Sequence, residues 1–140
     1  MLHGIELTAT NTDDSLFRVR AAASNMGFSG ETDMYVYESD LFDLAQTLKG
    51  FPSHIKDVRD FELGNFNPKF ASGGIRFHFH CVDGMGHVEV DVEIRTDTYL
   101  SGHAQYASFF IAVEPAAIDN FVSELQQKFS LNSSAYLRGN

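Results

Sequence analysis

Six residues in one short stretch are of the kinds that hold metal ions or move protons: His78, His80, Asp83, His87, Glu89 and Asp91. His78 and His80 stand two apart, so on an extended chain both rings leave the same face and can reach one ion. Imidazole with carboxylate is a donor set for zinc or another divalent metal, which makes His78, His80 and Asp91 a candidate metal site. The plainer reading of the same residues is polar pairing across two strands on the open side of a sheet. Other chemistry is poorly supported. A thiolate nucleophile needs a partly exposed, electropositive setting, whereas Cys81, which could pair only with His80 or His103, falls on the apolar face of its strand and is expected to face Val88. No serine sits in a nucleophile-elbow pattern. The glycines at 27, 30, 73 and 74 lack the spacing of a phosphate cradle and read as turns. The chain is therefore expected to be no enzyme and to carry no cofactor.

The element that positions these residues is a β-hairpin over residues 75–95. Ile75, Phe77, Phe79 and Cys81 alternate along one arm, and Val88, Val90, Val92 and Ile94 along the other, the period of a strand with one buried face. Asp83, Gly84, Met85 and Gly86 lie between them, and Gly84 at the first central position suits a two-residue type II′ turn. Pairing Asp83 with Gly86 sets Cys81 opposite Val88, Phe79 opposite Val90, Phe77 opposite Val92 and Ile75 opposite Ile94. The same register sets His80 opposite Glu89, His78 opposite Asp91 and Arg76 opposite Glu93. A slip of one residue would turn the apolar set outward, so charge and burial select one register.

Around the hairpin, alternation predicts strands over residues 2–10, 16–24 and 31–37, with a turn over 11–15 and a glycine-bearing loop over 25–30. From Leu41 the apolar spacing becomes helical, with Ser39 or Asp40 as N-cap and Gly50 as the stop. Residues 51–59 read as a connector, and Phe61 and Leu63 as a short strand. Residues 104–113 form a strongly apolar strand, expected to be covered on both faces. Glu114 and Pro115 then open a helix with Ile118, Phe121, Val122, Leu125 and Phe129 on one stripe. Residues 130–140, rich in Ser, Asn and Gly, are expected to be a loose tail after an ordered body over 1–129. The order is β-β-β-α-β-β-β-β-α: an α+β, mainly antiparallel fold of about seven strands and two amphipathic helices, in one domain. The segments from Glu38 to Phe51 and from Glu114 to Phe129 share a pattern, which is consistent with an old duplication and equally with convergence.

Composition bounds the partners. The chain has 140 residues, thirteen Phe, five Tyr, no Trp and a formal net charge of −9, enough apolar bulk for a core. The acidity argues against nucleic acid or an anionic membrane and in favour of a basic protein, or it simply confers solubility. One cysteine, no stretch of about 18 apolar residues and no leader-like start predict a cytoplasmic protein. Tyr35, Tyr37, Phe66, Phe70, Tyr99 and Tyr106 are candidate aromatic contacts for a partner. With Glu89, Asp91 and Glu93, the tyrosines make the candidate partner-binding set.

The segments Phe28-Ser-Gly30, Asp40-Leu-Phe-Asp-Leu-Ala-Gln-Thr-Leu48, Asp83-Gly-Met-Gly-His-Val-Glu-Val90 and Val113-Glu-Pro-Ala-Ala-Ile118 occur in an order that resembles a group of small bacterial domains including the WapI-type immunity proteins. The resemblance spans roughly residues 15 to 127. It implies a cytoplasmic, non-enzymatic protein that neutralises a toxin domain by binding it, and an acidic binder suits a basic toxin. It transfers no site residues, and it does not extend to the N-terminal strand or to residues 51–67. Two other readings stand beside it: a metal or small-ligand binding protein using the histidine and carboxylate cluster, and a homo-oligomer joined through a sheet edge or tyrosine-rich face.

Overall fold

Period-two alternation builds eight strands, and their inward faces meet in one hydrophobic cluster. The structure is a computed structural model describing residues 3–140; Leu2, assigned above to the first strand, lies outside them. The order is β1 (Gly4–Asp13), β2 (Leu16–Ser24), β3 (Ser29–Tyr37), α1 (Glu38–Leu48), β4 (Val58–Gly64), β5 (Gly74–Cys81), β6 (Val88–Arg95), β7 (Tyr106–Val113), α2 (Pro115–Gln126) and β8 (Ser134–Arg138). One antiparallel sheet runs β3-β2-β1-β8 and the other β4-β5-β6-β7. The α+β, mainly antiparallel class is as expected, with eight strands where about seven were expected.

The two sheets are built alike. Each half of the chain is a three-stranded meander, a helix and a final strand, and each final strand joins the other half's sheet beside that half's first strand: β4 beside β5, and β8 beside β1. The helices follow the same pattern. Leu41, Leu44, Ala45 and Leu48 are buried in α1, and Ile118, Phe121, Val122 and Leu125 in α2, both sets starting at the fourth helical residue and recurring at one-turn spacing. The helices pack on each other, α1 also on β3 and β4, and α2 on β8.

The β5–β6 register is the one expected, from Ile75 opposite Ile94 to Cys81 opposite Val88. The turn differs. The left-handed glycine is Gly86, at φ +84, rather than Gly84, so the tip is not the two-residue type II′ turn. Asp83 organises it instead, its carboxylate accepting the backbone N–H of Met85 at 2.8 Å and of His87 at 3.3 Å, as an Asx turn does.

Four further expectations are corrected. The first hairpin is longer, with pairing continuing to Asp13 opposite Leu16. Asp14 takes the tight turn at φ +53, a conformation that Asp tolerates. Helix α1 begins at Glu38, because the Asp40 carboxylate reaches back to the Tyr37 N–H at 2.8 Å and makes Tyr37 the N-cap. Strand β7 is a sheet edge with one open face, so Phe109, Ile111 and Val113 are buried while Tyr106 and Phe110 are exposed. The tail is not loose: β8 pairs with β1 from Ser134 opposite Thr8 to Arg138 opposite Gly4, and Ala135 and Leu137 are fully buried.

Polar contacts tie the connectors down. Arg59 grips Asp57 through Nε and Nη2, at 2.9 and 2.7 Å, and donates from Nη1 to the carbonyls of Thr47 and Lys49 at the end of α1. Ser53 donates its N–H and hydroxyl to the same carboxylate. Where the sheets approach, Arg95 is buried and donates to the carbonyls of Ser72 at 2.6 Å and Phe70 at 3.0 Å, drawing the loop before β5 across the end of its sheet. Only glycine fits at position 73, since a Cβ there would lie 1.8 Å from the Thr32 hydroxyl.

Two measurements probe these contacts. Leu137→Ala is expected to lower unfolding free energy by about 2–4 kcal/mol in a urea titration, whereas a loose tail would leave it unchanged. Pairing with Arg59 holds the Asp57 carboxyl well below its ordinary range, so its contribution is complete above pH 3.8 and lost as pH falls through the lower folded value. Asp57→Asn is expected to cost about 1–2 kcal/mol at pH 7, a deficit that shrinks in melts carried out at progressively lower pH below that range.

Candidate functional site

The outer face of the β4-β5-β6-β7 sheet carries Asp60 and Glu62 from β4, Arg76, His78 and His80 from β5, Glu89, Asp91 and Glu93 from β6, and Tyr106, Ser108 and Phe110 from β7. Each is the outward half of an alternation whose inward half is in the core, so burial alone gathers them. Five carboxylates there meet one guanidinium and two imidazoles. The outer face of the other sheet is different: Glu6, Asp13, Glu31 and Asp33 stand against Arg18, Arg20 and Arg138, with Asp33 bonded to both Arg18 and Arg20, an excess of a single acid. The acidic excess of the two sheet surfaces is thus concentrated on one of them.

Side-chain pairing on this face follows the three-strand sheet rather than the hairpin alone. Arg76 bridges Glu62 and Glu93 at 2.8 Å each, and its guanidinium stacks 3.9 Å from the centre of the Phe66 ring. His78 sits opposite Asp91 in the ladder, but its Nδ1 bonds Asp60 on the other neighbouring strand at 2.5 Å. His80 sits opposite Glu89, yet its Nε2 turns diagonally to Asp91 at 3.3 Å. Asp60 is the residue the sequence reading missed. The one available signal was the weak alternation around Phe61 and Leu63, which places Asp60 outward once its strand is known to pair with β5.

Of the histidine and carboxylate constellation, the fold brings together His78, His80 and Asp91. One ligand atom from each lies within 4.8 Å of the other two. Asp83 and His87 stay apart at the hairpin tip, bonded to one another at 2.5 Å. Hydrogen bonding and charge from Asp83 raise the His87 pKa above its ordinary 6.5, and the His87 contact in turn lowers Asp83.

Asp60, Glu62, Arg76, His78, Asp91 and Glu93 line an open groove of about 540 Å³ on this face. Ser108 on its rim also borders a second hollow, of about 550 Å³, lined by His3, Met26, Phe28, Phe110 and Ala112. Met26, Phe28 and Phe110 are exposed, and Asn25 holds their loop against the edge of β7 by donating to the Phe110 carbonyl at 2.8 Å. No protein-family model, curated protein or solved structure matches this chain. Its acidic groove and apolar hollow, joined at Ser108, are thus read from their own chemistry.

The tyrosines in the candidate partner set do not form one patch. Tyr106 shares the acidic face with Glu89, Asp91 and Glu93, whereas Tyr35 and Tyr37 lie on the other sheet and Tyr99 in the loop before β7. All four are exposed. Cys81 faces Val88 in the ladder and packs partly against the core. Among the described residues, no helix is long and apolar enough to cross a membrane.

The tip pair yields a pH prediction. Because the folded pKa of His87 is raised, the pair stabilises the tip below the ordinary histidine range and stops doing so as pH rises through the folded value. Proton NMR titration is expected to place the His87 midpoint above 6.5, and Asp83→Asn to bring it back down.

Proposed function

We propose that this is a cytoplasmic, non-enzymatic binding protein of inhibitor or immunity type, which docks a basic protein on the outer face of the β4-β5-β6-β7 sheet. The observation that supports this is the uneven charge of the two sheets: on one outer face five carboxylates, four of them lining a groove, stand beside one exposed arginine, while on the other four carboxylates meet three arginines. Such a field raises the rate at which a cationic partner arrives and orients it on arrival. Charge alone gives little affinity at a solvated surface. The adjoining Met26, Phe28 and Phe110 supply apolar contact that can be desolvated. The partner class is therefore a protein with a Lys- or Arg-rich surface flanked by an apolar or aromatic side chain, such as a basic toxin domain. Occlusion follows from position, because a partner held by groove and hollow together has its basic surface covered.

The test is paired capture from the native host by wild-type protein, by a Glu62→Gln, Glu89→Gln, Glu93→Gln variant, and by a Glu6→Gln, Glu31→Gln control on the opposite sheet. A basic protein is expected with the wild type and the control, reduced at least tenfold with the groove variant and released by salt. Equal capture by all three, or capture of no basic protein, contradicts the reading.

A further inference from the structure

We infer that His78, His80 and Asp91 bind one transition-metal dication of the zinc class, with Asp60 as the outer group that orients His78. Zinc bonds of about 2.0–2.1 Å at tetrahedral angles set neighbouring ligand atoms about 3.3–3.4 Å apart. His80 Nε2 and the Asp91 oxygen are already 3.3 Å apart. The set closes within 4.8 Å, so the remaining contraction is within reach of side-chain rotation at an exposed site. Both histidines leave β5 on one face with ring centres 5.1 Å apart, and Asp91 comes from the paired strand β6. The backbone ladder thus fixes all three attachment points before any ion arrives.

The Asp60 contact gives this cluster a feature that simple polar pairing does not require. A carboxylate accepting from Nδ1 of His78 fixes the tautomer whose lone pair is on Nε2, and metal-bound histidines characteristically hold their other nitrogen in this way. Two imidazoles favour zinc, nickel or copper over calcium or magnesium, which take oxygen ligands. His78 and Asp91 line the groove, leaving the fourth corner of the tetrahedron to water or to a side chain of a docked partner. The site shares Asp60 and Asp91 with the proposed docking face, but Glu62, Glu89 and Glu93 are outside it, so the two readings are tested by different variants.

The experiment is isothermal titration of chelator-treated, untagged full-length protein with zinc chloride, with calcium chloride as a second arm, alongside NMR of the histidine rings. Expected are one equivalent of zinc, no calcium, and movement of the His78 and His80 signals while His3, His54, His87 and His103 stay in place. His80→Ala and Asp91→Ala are expected to weaken binding at least tenfold. Asp60→Asn is expected to weaken it about 10- to 100-fold with the stoichiometry kept, and the Glu62→Gln, Glu89→Gln, Glu93→Gln variant to bind as the wild type does. Absence of binding, zinc affinity unchanged by His80→Ala, or zinc shifts centred on His87 would each overturn the site. The ring-signal measurement uses unaltered protein, so it decides the matter even if a variant folds poorly.

Discussion

The β5–β6 ladder is the constraint on which the rest of the molecule depends. Phe77, Phe79, Val90 and Val92 are all at most 2 % exposed; sliding β5 by one residue would exchange Phe77 and Phe79 for His78 and His80, and sliding β6 would exchange Val90 and Val92 for Asp91 and Glu93. Either slip removes large apolar side chains from the core and drives ionisable groups into their place, a cost comparable with the whole stability of an ordinary domain. The polar residues of the sheet therefore occupy their outer positions because the apolar ones cannot leave the inner ones. Any chemistry on the acidic face is positioned by hydrophobic burial on the opposite side of the same backbone.

How much of this was legible in the sequence depends on how local each cause is. The hairpin was readable because both arms, their turn and their charges lie within about twenty residues and select the same register. Helix α2 was readable from Pro115 and its apolar stripe. Strand β8 was not, although Ala135 and Leu137 do alternate with Ser134, Tyr136 and Arg138. Five residues of alternation in a polar stretch acquire meaning only when the open edge of β1, more than a hundred positions earlier, is there to pair with them. The ring orientations escaped for a related reason. A cross-strand rule applied to two strands assigns His78 to Asp91, but β5 is an interior strand, and Asp60 on its other side competes for the same nitrogen.

Charge on this protein is organised by strand position as well as by composition. On the β3-β2-β1-β8 sheet, arginines on β2 face acids on β3 and cancel them in pairs. On the other sheet, Arg76 alone serves two glutamates, and Asp60 and Asp91 are paired with histidines rather than with arginines. The apolar residues of the loop between β2 and β3 meet this region through Asn25 and the edge of β7. A charged face and an oily one thus adjoin on the surface although they arise from opposite halves of the chain.

The crossed placement of β4 and β8 governs when the protein can finish folding. Strand β1 is synthesised well before one of its two neighbours, which is specified by residues 134–138. Until those residues emerge, β1 presents an unpaired edge and the nascent chain carries an apolar cleft where Ala135 and Leu137 will lie. Completion thus closes a loop of more than a hundred residues, which places this fold among those that fold slowly for their size and gives the growing chain a period of exposure to self-association.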